Sequence, residues 1–310
     1  MKIAYIQRGQ ARNTVAASRI FQKYTVEAYP QHSHSVHIYT WNHTSRVNEG
    51  GVSDLTFQDS VSLKTEFKSL YAIDDDQITV GDNSHYKDII LPFVEYADNG
   101  WDPLNVYTVL NQIIADMRAQ EQLLSYCKVH DYTPDLIVDT RPEMMHLIEN
   151  NFYENSLSTL NANSNSILVH KLREWDSYRY VGDYTFVYNM DTLKNMCTQN
   201  STTRLLDTLY SAANLQMMNP NTRKHPGKTY WLSHTLYPSV VHKLQNYIKM
   251  SIDDTHPTAI LDSQLEHEIF NKPANNDSYY AYSDLQSYKG TTSLTNRERE
   301  RIHNTLVNNA

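Results

Sequence analysis

"DLIVDTRPEMM", residues 135–145, decides how the chain folds. Leu136, Ile137 and Val138 form a short apolar run of the kind found in a strand covered on both faces. The run opens at once into Asp139, Thr140 and Arg141, and Pro142 then removes a ladder donor. A covered strand with a polar exit fits an open α/β sheet, in which ligands bind outside the carboxyl ends of the strands. The chain reaches this strand from a long helix over 103–128. Asp102 is its N-cap, Pro103 its first residue, and Leu104, Tyr107, Leu110, Ile114, Met117 and Leu124 recur along one stripe.

The same pattern occurs at the N-terminus. Residues 2–6, "KIAYI", predict a first strand. "TVAASRIFQKYTVEAY", residues 14–29, has helical spacing through Val15, Ile20, Tyr24 and Val26. "VHIYTW", residues 36–41, predicts a second strand, so strand, helix and strand form a βαβ unit with a right-handed crossover. Residues 47–100 are polar and suit short strands and loops. Downstream, "SYRYVGDYTFVYNM" (177–190) predicts strands around Asp183, with helices near 190–198 and 202–216. "NPNTRKHPGK" (219–228) reads as a loop. Tyr237-Pro238 predicts a helix carrying Val240, Val241, Leu244 and Ile248 on one side. Thr295 and Glu298 form a capping box for a short basic C-terminal helix.

Composition narrows the function. The chain has 310 residues, 40% hydrophobic and 20% charged, which suits a globular protein. No run approaches the ~18 apolar residues of a membrane span, and the N-terminus turns polar too soon for a signal peptide. Cys127 and Cys197 are too few for a disulfide framework or a cysteine zinc site. The expectation is a cytoplasmic protein, in host cytoplasm if viral. With only 8 glycines and neither a P-loop nor G-x-G-x-x-G, the simple ATPase and dinucleotide-enzyme readings lose their support. The net charge of −8 hides two basic segments: residues 1–46 and residues 204–250 each carry six Lys/Arg against one acid. If the fold joins them, they make one positive surface.

Three polar clusters follow predicted strands. Arg8-Gly9-Gln10-Ala11-Arg12-Asn13 offers close backbone approach at Gly9 and forked donors for phosphate at Arg8 and Arg12. Thr40-Trp41-Asn42-His43 follows the second strand, and Asp139-Thr140-Arg141-Pro142-Glu143 the third. Two other groups are weaker. Asp74-Asp75-Asp76 lies away from a strand end and reads as a solvated acidic turn. The tract His32, His34, His37, His43 would need His34 and His37 on opposite faces of one strand, which disfavours a shared metal.

"MKIAYIQRGQARN", "VHIYTWN", "DLIVDTRPEMM" and "YVGDYTFVYNMDTL" stand in the order and spacing of motifs in a bacterial and phage family of glycosyltransferase-like proteins. That family reads S-G-Q-x-R-N, then H-T-W, then T/R-R-P-D, then I-x-D-x-F-x-x-G. The resemblance covers about residues 1–200. It implies an α/β fold, a GT-A-like Rossmann-type mixed sheet flanked by helices. Residues 1–250 would be a nucleotide-sugar-binding catalytic domain, and residues 251–310 a C-terminal helical extension packed on it. Carried over by position, Gly9, Gln10, Arg12 and Asn13 would touch the nucleotide, and Thr40 and Trp41 match the second motif. Arg141, Pro142 and Glu143 match the third motif, with Glu where the family has Asp. Asp183 matches the acid of the fourth.

The resemblance implies a UDP-sugar or other nucleotide-sugar donor. The leaving diphosphate needs a positive partner, either Arg141 or a divalent cation, Mg2+ or Mn2+, held by Asp139, Glu143 and a late ligand such as His234. Asp183 is the candidate base for the acceptor hydroxyl. The acceptor is a surface glycan or a hydroxymethylated base of phage DNA. For DNA, Arg223, Lys224 and Lys228 would bind the acceptor's phosphates. The alternative is a non-catalytic sugar-nucleotide or glycan-binding module.

Overall fold

The structure, a computed structural model, describes residues 1–11, 18, 21–47, 53–82, 103–141, 144–148, 151–169, 172–175, 178–181, 185–200, 203–204, 241–242, 245–250 and 255–259. The central sheet holds β1 (Lys2–Gln10), β2 (Ser33–Trp41), β5 (Ile78–Gly81), β6 (Leu136–Thr140), β8 (Ser166–Val169), β11 (Thr185–Tyr188) and β12 (Asn246–Lys249). Its strand order is β12-β8-β11-β6-β1-β2-β5. β1 is parallel to β2 and β6, β2 to β5, and β12 to β8; β11 alone runs antiparallel to its neighbours β6 and β8. The expected Rossmann-type mixed α/β sheet is therefore present.

Helices cover both faces, which is why β1 and β6 are buried almost end to end. On one face lies α2 (Pro103–Val129), whose Ile113, Ile114, Met117, Leu123 and Cys127 pack with Ala4, Ile6, Tyr39, Trp41, Ile137 and Phe186. The short α4 (Met190–Met196) adds Leu193 and Met196 to that core. On the other face, α1 (Ser60–Tyr71) and α3 (Phe152–Ala162) bring Leu63, Phe67, Phe152, Tyr153 and Leu160 against Ile3, Tyr5, Ile38 and Val138. The alternation of Ala4 and Ile6 with Ile3 and Tyr5 is the period of two that splits one strand between two cores. A short π-helix, Gln22–Val26, lies between β1 and β2, and three two-stranded pairings stand outside the central sheet: β3 (His43–Val47) with β4 (Ser53–Phe57), β7 (Met144–Ile148) with β13 (Thr255–Ala259), and β9 (Leu172–Trp175) with β10 (Tyr178–Val181). Among the described residues no helix is long and apolar enough to cross a membrane.

Several local expectations hold. Asp75 and Asp76 lie in a 3-10 turn, Asp75–Gln77, capped by Asp74. Asp75 pairs with Lys64 and Lys68, and Asp76 with His130, as a solvated acidic turn would. His34 bonds to Tyr5 on the α1 side, whereas His37 meets Tyr126 of α2 on the other. One expectation is corrected. The helix drawn through Val240, Val241, Leu244 and Ile248 does not reach Ile248, because Asn246–Lys249 is the strand β12 and pairs with β8. Three- and four-residue spacing fits a helix, but pairing with the buried strand β8 outweighs that local signal. Of the expected C-terminal helical extension, only residues 255–259 are described. They form β13, where Pro257 and the β-branched Thr255 and Thr258 disfavour helix. The capping box at Thr295 and most of the helix at 202–216 lie outside the described residues.

Candidate functional site

The chain leaves β1 for β2 and β5 on one side, then returns to lay β6 on the other. Strand order thus reverses between β1 and β6. A crevice forms outside the carboxyl ends of an open α/β sheet at such a point. Register brings the sequence clusters to this edge: Gly9 pairs with Thr40, Gln10 with Trp41, Gln7 with Thr140, and Thr140 with Thr185. Arg141 follows directly on the last residue of β6 and is half-buried.

Gly9 has φ +116, and an added Cβ would meet nothing within 4 Å. Among the described residues nothing fills the space a Cβ would take, and its conformation is one that side-chain-bearing residues avoid. Thr40 and Thr185 lie on the same sheet face as each other, by alternation with Ile38 and Val187 of the α1-side core. Both are fully buried, and both hydroxyls lack a partner among the described residues. Unsatisfied buried hydroxyls suit a polar ligand or ordered water. Trp41 is turned inward, 1% exposed and edge-on to Tyr39.

Beneath the switch point lies a charge network that the sequence did not announce. Arg8 Nε donates to Asp139 Oδ1 at 2.8 Å and stands 2.8 Å from Asp116 Oδ2. Tyr188 donates its hydroxyl to Asp139 Oδ2 at 2.9 Å. Gln120 donates to Asp116 Oδ1 at 3.0 Å and accepts from Arg204 at 2.9 Å. Arg204 also donates to the Val241 carbonyl at 2.9 Å. The Arg8 guanidinium lies 5.4 Å from the centre of the Phe186 ring. Burial raises the Asp116 carboxyl well above the usual range, and the neighbouring Asp139 pushes the same way against the pull of Arg8. A proton on Asp116 converts the repulsion between the two acids into a hydrogen bond. Burial likewise holds His242 well below the usual imidazole range, with Arg8 and Arg204 adding to the effect.

These contacts reassign two residues. Arg8, expected to grip phosphate, is fully buried and held by two acids, so it braces the crevice from below. Asp139 has both oxygens engaged, by Arg8 and by Tyr188, and no exposed surface. As placed, it does not fit the role of a cation ligand. Among the described residues, no three His, Cys, Asp or Glu side chains gather as a metal set. Gly9, Gln10, Thr40, Trp41, Asp139 and Arg141 are thus brought together at one edge. Arg12, Asn13, Glu143, Asp183, Arg223, Lys224, Lys228 and His234 lie outside the described residues. Sequence patterning assigns no site role to Asp116, Gln120, Tyr188 or Arg204. The signal available was an acid and an amide on the apolar stripe of α2.

A cavity of about 480 Å³ lies elsewhere, between α2 and β5, lined by Tyr39, Asp76, Thr79, Gln122, Tyr126 and His130 among others. Tyr126 meets His37 edge-on at 4.5 Å and stacks on His130 at 4.2 Å, and that histidine is tied to Asp76. The switch point is the better candidate.

No protein-family model matches the sequence, and no curated protein matches it. Among solved structures, the chain is similar to the galactosyltransferase LgtC in complex with donor and acceptor sugar analogs. The TM-score is 0.36 at 10% identity, over 80% of this chain and 73% of that one.

Proposed function

We propose that the chain is a glycosyltransferase that moves a sugar from a nucleotide-sugar donor to a hydroxyl acceptor. One observation carries the reading: strand order reverses between β1, which ends in Gly9-Gln10, and β6, which leads into Arg141. These are the positions at which the motif resemblance places the donor. The diphosphate would lie over Gly9, where no side chain obstructs close approach. In the reaction the acceptor oxygen bonds to the anomeric carbon as the bond from that carbon to the diphosphate oxygen breaks. Asp183 takes the acceptor's proton. Arg141 and Arg12 neutralise the charge that builds on the leaving diphosphate. The leaving group is assigned to these arginines because Asp139 is committed to Arg8 and Tyr188.

The test is release of UDP from UDP-glucose, UDP-galactose and UDP-N-acetylglucosamine, with and without duplex DNA bearing hydroxymethylated bases and with a surface-glycan acceptor. Release that depends on one acceptor supports the transferase and names the acceptor class. Saturable donor binding without release in any arm means a non-catalytic sugar-nucleotide-binding module. Absence of both binding and release overturns the reading.

A further inference from the structure

The bonds beneath the crevice link Arg204 to α2, β1, β6 and β11 in one chain, with donors at both ends and Arg8 donating at its centre. Arg204 donates to Gln120, Gln120 donates to Asp116, Asp116 and Asp139 flank Arg8, and Tyr188 closes the far end on Asp139. None of the six side chains is more than 1% exposed. Gln120 is the link whose orientation matters. Its amide can turn over, exchanging donor for acceptor. The Arg204 guanidinium has only donors, so it forces the Gln120 oxygen toward itself and the Gln120 N–H group toward Asp116. Without Arg204 the Gln120 oxygen loses this buried donor, and only the bond to Asp116 is left to hold the amide. The Gln120 side chain is then less firmly placed, and the grip on Arg8 from the α2 side slackens.

We propose that Arg204 is a positioning residue for the β1–β6 crevice, acting through Gln120 and Asp116 on Arg8 and Asp139. Its described hydrogen bonds go to Gln120, Cys197 Sγ and the Val241 carbonyl. Its effect is to fix the strand ends that carry Gly9 and Arg141. Arg204 also anchors the Val241 carbonyl, so the same side chain ties residues 204 and 241 to the floor of the site. This inference rests on the donor reading only for its consequence for binding; the mechanical link stands apart from it.

The experiment uses the full chain with Arg204→Met, Arg204→Lys and Gln120→Met. Backbone hydrogen exchange is followed at residues 9–11 and 139–141, and at α1 on the opposite face as a control. Expected is exchange about tenfold or more faster at the two strand ends in Arg204→Met and Gln120→Met, with α1 unchanged. Arg204→Lys, which keeps the charge and a donor, should restore part of the protection. UDP affinity is measured on the same proteins by calorimetry, with a loss of about fivefold or more expected for the two methionine variants. A double change, Arg204→Met with Asp139→Asn, should weaken UDP binding by less than the product of the singles, as coupled residues do. Exchange that rises only around residues 197–204 and 241–247 overturns the link, as does independent behaviour of the two changes. If wild type binds neither UDP nor any UDP-sugar, the donor reading fails and hydrogen exchange still decides the link. Should Arg204→Met not fold, Gln120→Met and Arg204→Lys carry the same comparison.

Discussion

Asp116 titrates upward because burial removes the water that would solvate its charge, and Asp139 beside it adds repulsion. A carboxyl whose folded value exceeds its unfolded one of 3.8 holds its proton more tightly in the native state. Its contribution to stability is complete below that unfolded value and is lost as pH rises toward the folded one. Asp116→Asn keeps an acceptor for Gln120 and supplies a donor to Asp139 without a charge to bury. Thermal unfolding across pH 4 to 9 should show a flatter profile for this variant, at least as stable as wild type at the alkaline end. A variant that loses stability at every pH would mean that the ionised form is needed. His37 slopes the other way, since burial lowers it from 6.5 to about 4. The neutral ring is favoured in the fold, so its stability is present above 6.5 and is lost as pH falls toward 4. At the crevice, Arg141→Ala should weaken UDP-sugar binding by ~1.5–3 kcal/mol, the value of lost charge-assisted bonds. Calorimetry with unchanged affinity would remove Arg141 from the donor site. Gly9→Ala introduces no clash but strains a φ of +116, a cost of about 1–3 kcal/mol that urea unfolding can read.

β5 shows how an element depends on its neighbour's side chains. It is four residues long and sits at the sheet edge beside β2. A Cβ at Gly81 would stand 2.5 Å from the Tyr39 hydroxyl and 2.9 Å from the Trp41 ring. Tyr39 and Trp41 are both buried, so a side chain at 81 would have to displace them, and glycine lets β5 dock without that shift. Gly81→Val should overpack this contact and cost about 1–3 kcal/mol, with proteolysis near residue 81 accelerating first. If the variant melts with wild-type midpoint, the Tyr39–Trp41 pair moves more freely than its burial suggests. The elements that sequence pattern revealed share a cause. β1, β2, β6 and α2 are covered on a face or on both, so their apolar periodicity is strong. β12 is hidden in the sequence because Val240, Val241, Leu244 and Ile248 are spaced for a helix, and its partner β8 lies some 80 residues away in sequence. The crevice edge was legible for a simpler reason: polar residues that interrupt apolar strands stand out. The charges under it were not, because Asp116 and Gln120 look like ordinary polar positions of a long helix until Arg8 and Arg204 are placed against them.

Charge distribution is the property that belongs to the whole molecule. The chain is acidic overall, yet residues 1–46 and 204–250 are both basic. Among the described residues, each segment commits an arginine to the interior, Arg8 in the first and Arg204 in the second. Those two arginines meet the same short bridge, Asp116 and Gln120, so the starts of both segments are held to one core. Sequence separation had left that convergence open. Neither buried arginine adds to a surface charge, so the DNA-acceptor form of the proposal rests on the other basic residues of the two segments, because a local positive surface binds phosphates whatever the net charge. Arg223, Lys224 and Lys228 fall between the two points that Arg204 ties together, residue 204 itself and residue 241. If they contact DNA phosphates, each adds about 0.9 to the slope of log affinity against log salt. Replacing all three with alanine should therefore lower the slope by up to ~3 on duplex DNA carrying hydroxymethylated bases. Binding titrated over a range of salt concentrations measures it. Wild type that fails to bind duplex at low salt, or a triple variant with an unchanged slope, would remove these residues from a DNA surface and leave a glycan as the acceptor.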